Sequence, residues 1–358
     1  MTSIRDSDQV ATNRRNPVRQ HQSVRWYRHR GLRTAGATAA KLAVSTGLFL
    51  FLLAGMDRHE LRTVFTGIEL HQYLLAVLLF VLSNCLGALQ WYLLLRAQGL
   101  AVRLSQALVL YFVGIFFNNV LLGNIGGDAV RMYDIHRLTG QSSAGVAATV
   151  MDRFTGLFAT CTLALIAYPL VYAAGPGWVL TVLAPVWLGL VAVLTMSLSR
   201  RAGGLVETVI CRIVPAVASK HIRSLRAALM VYRHYKRWLA VILLLSLTVQ
   251  LCRILVYYKA GHAVGMDPGL VYFICFQPVA AIVAALPISI GGLGVREGTL
   301  LAMFTSIGVA GNLALAMSVA GYTAGILASL IGGVAFVLRR IRQQPTQPTA
   351  GCDDHPGK

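Results

Sequence analysis

Residues 124–131 read NIGGDAVR and residues 289–296 read SIGGLGVR. Five of the eight positions are identical: Ile125/Ile290, Gly126/Gly291, Gly127/Gly292, Val130/Val295 and Arg131/Arg296, at an offset of 165 residues. Each stretch breaks an apolar region with a Gly-Gly pair and closes on an arginine. The same offset carries the apolar window 105–122 onto 270–287, 73–95 onto 238–260 and 154–174 onto 319–339. All three land on apolar windows, so the match reaches well beyond the octapeptide. The chain reads as two similar halves, about 36–174 and 178–338, each built around a glycine break.

The windows set the broad class. Of 358 residues, 56% are hydrophobic and only 13% charged, with a mean hydropathy of +0.65; a soluble domain carries about 25% charged residues. Apolar windows fall at about 36–55, 73–95, 105–122, 154–174, 178–198, 238–258, 268–287 and 312–337. Several reach the roughly 20 residues needed to cross a hydrocarbon core of about 30 Å. The prediction is an all-α, polytopic integral membrane protein. The six cysteines include no CxxC pair and read as small hydrophobes. No HExxH spacing and no GxxxxGK[ST] loop occurs, so no metal, no cofactor and no nucleotide site is expected. No catalytic constellation stands out either, and the chain reads as a non-enzyme.

The formal net charge of +19 is placed beside the apolar windows. Residues 1–33 hold eight arginines, residues 199–237 hold nine Lys/Arg against Glu207 alone, and Arg339, Arg340 and Arg342 follow the last window. Basic residues abutting spans follow the positive-inside rule and attraction to anionic lipid, so no nucleic-acid partner is expected. Eight full spans would put the basic 199–237 segment outside. Making windows 105–122 and 268–287 re-entrant instead keeps 1–33, 96–104, 123–153, 199–237 and the C-terminus inside. That topology has six full spans plus two re-entrant helical hairpins, and it gives the halves opposite orientation, an inverted repeat of the transporter kind. The location expected is the plasma (cytoplasmic, inner) membrane with both termini cytoplasmic. Residues 1–34 and the tail 343–358 are polar and expected to be disordered. The 35–342 stretch forms the membrane domain, with 199–237 as an amphipathic interfacial segment.

Unwound backbone within a membrane is tolerated only where it lines a cavity or lies inside protein. Two Gly-Gly breaks at equivalent places therefore suggest one shared cavity. Helix N-termini opening after Gly126, Gly127, Gly291 and Gly292 would aim N–H groups and partial positive charge into it. Arg131 and Arg296 add planar forks suited to phosphate or carboxylate. Asp128 and Glu297 would neutralise or gate them, and Asn119 beside Asn118 would supply an amide contact or cap. Arg253 interrupts an apolar window, where an isolated charge costs roughly 2.5–3.5 kcal/mol; it would pair with Glu297 or touch a ligand. Asp152 and Arg153 read as a helix-end pair with a structural or gating role. Gln90 and Trp91 read as interfacial anchors.

The stretches FFNNVLLGNIGGDAVRMYDIHRLTG (116–140), MDRFTGLF (151–158) and LPISIGGLGVREGTL (286–300) resemble the transmembrane region of lysylphosphatidylglycerol synthases, also called uncharacterised protein family 0104. The resemblance spans about 38–338 and rests on GGDxxR, DRxxG and GGLGxREG. It implies an all-helical membrane domain with re-entrant elements, and a module that in its best-understood members moves an aminoacylated phospholipid between leaflets. By carry-over it marks Gly126, Gly127, Asp128, Arg131, Asp152, Arg153, Gly291, Gly292, Gly294, Arg296 and Glu297. The synthases add a large soluble aminoacyltransferase domain after the membrane part, and here the chain stops soon after its last apolar window. Synthesis of the lipid is therefore not expected. The expected role is flipping or binding of an anionic phospholipid or polyprenyl-phosphate-linked lipid. The alternative is a non-transporting scaffold for a lipid-modifying enzyme or glycosyltransferase, docked on 199–237.

Overall fold

A computed structural model of the chain describes residues 66–120, 126–171, 177–199, 230–232, 236–285 and 292–343, with the single residues Gly47 and Gly204. The expected first span at 36–55, Gly291, most of the basic 199–237 segment and both polar termini lie outside the described residues. Nine helices and no strands occur among the described residues. They are α1 (Leu70–Ala97), α2 (Leu104–Val120), α3 (Gly126–Thr139), α4 (Ser142–Val171), α5 (Trp178–Leu198), α6 (Lys236–Ala263), α7 (Leu270–Ala285), α8 (Val295–Thr305) and α9 (Gly311–Gln343).

Length separates them into two kinds. Four helices are long and apolar enough to cross a membrane, at Leu70–Ala97, Ser142–Val171, Arg237–Ala263 and Gly311–Arg339. The 17 residues of α2 and the 16 of α7 rise only about 25 Å at 1.5 Å per residue. The shorter helix after each packs back against it, α3 on α2 and α8 on α7. The long helices form the frame: α1 lies along α6, α2 packs on α9, and α7 packs on α4.

The frame is more polar inside than outside. On α1 the inward stripe is Asn84, Gly87, Ala88, Trp91, Leu94 and Leu95, at helical spacing and buried, while Leu74, Leu75, Leu78 and Leu82 are exposed. A helix apolar on its outer face as well as its inner one suits lipid, not water. Small residues bring backbones together where side chains would hold them apart. A Cβ on Gly332 of α9 would collide with the Phe112 carbonyl of α2, and one on Gly325 would come within 3.0 Å of the Phe80 ring of α1.

Two apolar clusters lie toward opposite ends of the bundle. One gathers Trp91, Leu94, Leu95, Leu110, Tyr111, Ile135 and Met151, joined by Tyr232, whose hydroxyl donates to Leu94 O at 3.1 Å. Burial raises the Tyr232 hydroxyl above the ordinary phenol range, keeping it a donor. The other gathers Phe273, Phe276 and Phe304, with the Phe304 ring centroid 4.9 Å from that of Phe273 and 5.2 Å from that of Phe276, around α4, α6 and α9. At the first end Asp134 of α3 takes Arg339 of α9 at 2.8 Å. At the second, Glu69 N–H donates to Ala263 O at 2.9 Å, setting the start of α1 beside the end of α6. Arg96, Arg103, Arg137, Arg237 and Arg339 fall toward the first end, and Glu69 and Asp267 toward the second. The polar layer lies between the two clusters.

Candidate functional site: an arginine-lined cavity

The first glycine pair opens α3. Gly127 N–H donates to Asn118 Oδ1 at 2.8 Å, so a side chain of α2 satisfies one of the donors a helix start leaves free. Gly127 also sits against Gly114 of α2, closely enough that a Cβ would overlap the Gly114 carbonyl oxygen. This close approach drives Arg131, one turn on, into the protein. Its guanidinium reaches Asp128 at 3.0 Å and Asp152 at 3.2 Å, and lies 4.9 and 4.7 Å from the ring centroids of Trp91 and Tyr111. Arg153 grips the other side of Asp128 with Nε at 2.8 Å and Nη2 at 2.9 Å. Gln90 holds Asp152 Oδ1 at 3.0 Å, closing a chain of charge-assisted bonds.

The second glycine stretch opens α8. Gly292 and Gly294 adopt φ of 78° and 83°, a region that a side chain makes costly. Glu297, 1% exposed, folds back so that its carboxylate accepts from Gly294 N–H at 2.6 Å. Its other oxygen takes Arg296 Nη2 at 3.0 Å, and the Arg296 guanidinium lies 4.6 Å over the Tyr322 ring.

Both arginines reach one cavity of about 250 Å³. Arg131, Arg153, Arg253 and Arg296 all line it, with Asn84, Asn119, Tyr257 and Gln277 among the other walls. The three carboxylates of the cluster, Asp128, Asp152 and Glu297, are already held by Arg131, Arg153 and Arg296. Arg253 has no carboxylate within ion-pair distance among the described residues, and its buried Nε has no hydrogen-bond partner. Asn84 is fully buried, yet neither its Oδ1 nor its Nδ2 is bonded. Unmet polar groups at such depth are costly.

The placement corrects several expectations. Arg253 does not pair with Glu297, because the arginine beside that carboxylate and the glycine turn occupy both of its oxygens. Asp152 and Arg153 are not a helix-end pair: α4 begins at Ser142, about three turns earlier, and the two residues bind α3 rather than each other. Gln90 and Trp91 are buried within the ion cluster, not anchors at an interface, with Trp91 Nε1 donating to Thr149 Oγ1 at 3.3 Å. Asn118 is the cap, while Asn119 lines the cavity. Gly126 and Gly127 open α3 and Gly292 and Gly294 shape the turn before α8. Asn84, Tyr111, Gln277 and Tyr322 escaped the sequence reading. Asn84 and Gln277 had a usable signal, being amides inside long apolar windows.

The profile of the lysylphosphatidylglycerol synthase transmembrane region matches residues 38–341, and so takes in α1 to α8, all but the last two residues of α9, and both glycine stretches. The chain belongs to that family. Relatives from archaea share its length. A UPF0104 membrane protein of Methanothermobacter thermautotrophicus is 23% identical over 328 residues, covering 83% of this chain and 91% of the relative. A UPF0104 membrane protein of Pyrococcus horikoshii is 21% identical over 322 residues, covering 84% of this chain and 96% of the relative. These members of the lysylphosphatidylglycerol synthase transmembrane-region family establish a multi-pass membrane protein, and their names specify no cargo.

Proposed function

We propose that the protein takes the phosphate of an anionic lipid head group into the arginine cavity and carries it between leaflets. The reading rests above all on Arg253, a guanidinium with no carboxylate partner among the described residues, which lines the same cavity as the unbonded buried amide of Asn84 and three further arginines. A phosphate oxygen accepts from the Arg253 guanidinium and from Asn84 Nδ2, and among the described residues the four arginines exceed the three carboxylates by one charge, which matches a phosphodiester.

The reading takes α2–α3 and α7–α8 as re-entrant hairpins entering from opposite sides, related by an inverted repeat. The helix bounds support it. Shifting α1 and α2 by 165 residues gives 235–262 and 269–285, against 236–263 for α6 and 270–285 for α7. The packing supports it too, because exchanging the halves turns the α2–α9 contact into the α7–α4 contact and leaves α1–α6 unchanged. Rocking of such halves about the fixed cavity gives alternating access. The arginine-rich end is cytoplasmic in this reading, and the membrane is the cytoplasmic one.

Lipid movement is measured with the purified protein in liposomes carrying a labelled anionic phospholipid. Arg253→Gln, which takes no partner from a described carboxylate, is expected to reduce it at least tenfold while the protein remains folded and inserted. Wild-type movement in that variant would remove the translocase reading. A wild-type protein that moves no anionic lipid but captures a soluble enzyme through 199–237 would establish the scaffold instead.

A further inference from the structure

A second cavity of about 290 Å³ adjoins the first, and the two share Tyr111, Arg153 and Arg253 as a common wall. Its own lining includes Gln90, Asp152, Thr160, Ser246 and Gln250. Two of these side chains are nine-tenths or more buried and leave atoms unbonded, Oε1 of Gln90 and Oγ of Ser246. The Gln90 oxygen can only accept, and the Ser246 hydroxyl can do either. Two glycines keep the space open. A Cβ on Gly156 would come within 3.1 Å of Gln250 Nε2, and a Cβ on Gly87 would collide with the Tyr111 hydroxyl.

The walls also say what does not fit. Asp152 is the lone carboxylate among the described lining residues, and both its oxygens are occupied, by Arg131 Nη2 at 3.2 Å and Gln90 Nε2 at 3.0 Å. Arg153 and Arg253 contribute two guanidinium groups. An ammonium group entering here would meet two like charges and no free carboxylate among the described lining residues, with the repulsion from half-exposed Arg153 partly screened by water. A hydroxyl donates to Gln90 Oε1 and exchanges a bond with Ser246 at no such cost.

We infer that this second cavity is the subsite for the distal part of the head group, and that it selects a neutral, hydroxyl-bearing group over a cationic one. The inference rests on the phosphate reading above: the phosphate lies against the shared arginine wall, and the group esterified to it extends past Arg253 toward Gln90 and Ser246. Phosphatidylglycerol and phosphatidylinositol have that chemistry, phosphatidic acid lacks the distal group, and lysyl-phosphatidylglycerol carries a cation.

Native mass spectrometry titrations of the full-length protein with these four lipids test it. Two neutral hydrogen bonds to otherwise unmet groups correspond to roughly a tenfold gain in affinity, so phosphatidylglycerol and phosphatidylinositol are expected to bind about tenfold tighter than phosphatidic acid. Lysyl-phosphatidylglycerol is expected to bind no tighter than phosphatidylglycerol. In Ser246→Val/Gln250→Leu the preference for the hydroxylated lipids should fall toward one, with phosphatidic acid affinity within about twofold of wild type as the sign of an intact fold. Equal binding of phosphatidic acid and phosphatidylglycerol, tightest binding of the lysyl lipid, or a double variant that keeps the preference would each overturn the subsite. Absence of phosphatidic acid binding by the wild type would take away the phosphate reading and this inference with it.

Discussion

Among the described residues, the charges of the cavity divide into those held by an ion pair and Arg253, which has none. Asp128 serves two arginines, accepting from Arg131 at 3.0 Å and Arg153 at 2.8 Å. Asp128→Asn takes the carboxylate from half-exposed Arg153 and leaves buried Arg131 with Asp152 alone, at 3.2 Å, and weakening a buried pair is destabilising. The variant is therefore expected to unfold well before wild type when thermal denaturation is followed in detergent; an unchanged midpoint would show that the cluster is not structural. Arg253 has the opposite expectation, because no carboxylate among the described residues depends on it. Arg253→Gln should leave the thermal midpoint within a few degrees of wild type, or raise it, while lipid capture falls. A variant that is both unstable and still lipid-bound would assign Arg253 to the frame. The sequence pointed to Arg253 by its place in an apolar run, and to Arg131, Arg296, Asp128 and Glu297 by their motif. It could not assign partners. Whether Glu297 faces Arg253 or its neighbour depends on the turn at Gly292 and Gly294, which folds the carboxylate back onto the helix start.

At the scale of elements, the glycine breaks work through close approach and through backbone angle. Gly127→Ala sets a methyl against the Gly114 carbonyl oxygen, and Gly332→Ala sets one against that of Phe112. Overpacking of this kind costs about 1–3 kcal/mol. Both variants are expected to lower the denaturation midpoint, and the Gly127 variant should also reduce lipid capture, because α3 carries Arg131; equal capture would detach the break from the site. The helices themselves were legible, since seven of the eight apolar windows contain or overlap a described helix and the first lies outside the described residues. Less legible were α3 and the start of α4. Their sequences are polar or rich in small residues, with Asp128, Arg131, Asp134, Ala144, Gly145, Ala147 and Ala148 turned into the protein. Hydropathy sees only the lipid-facing surface, so it began α4 about a dozen residues late, at 154 against Ser142. It also mistook Asp152 and Arg153, which bind α3 from within α4, for a helix end.

Across the whole molecule, opposed hairpins would bring two glycine breaks to one level between two apolar clusters. Topology tests that arrangement directly. Gln141 follows α3 and Ser306 follows α8, and both are exposed. Gln141→Cys and Ser306→Cys, each introduced singly into a background without native cysteines, are expected to react with a membrane-impermeant maleimide from opposite sides of the bilayer. Labelling from the same side would contradict the inverted arrangement, though it would leave the cavity chemistry intact.

That chemistry is the central claim, and one measurement addresses it most directly. The protein is purified from its own membrane and its retained lipids are weighed by native mass spectrometry, wild type beside Arg253→Gln. The expected result is one anionic lipid held by the wild type well above its share of the membrane, and missing from the variant. Bulk lipid in bulk proportions on both proteins would contradict the account, and would leave the arginines as part of the frame alone.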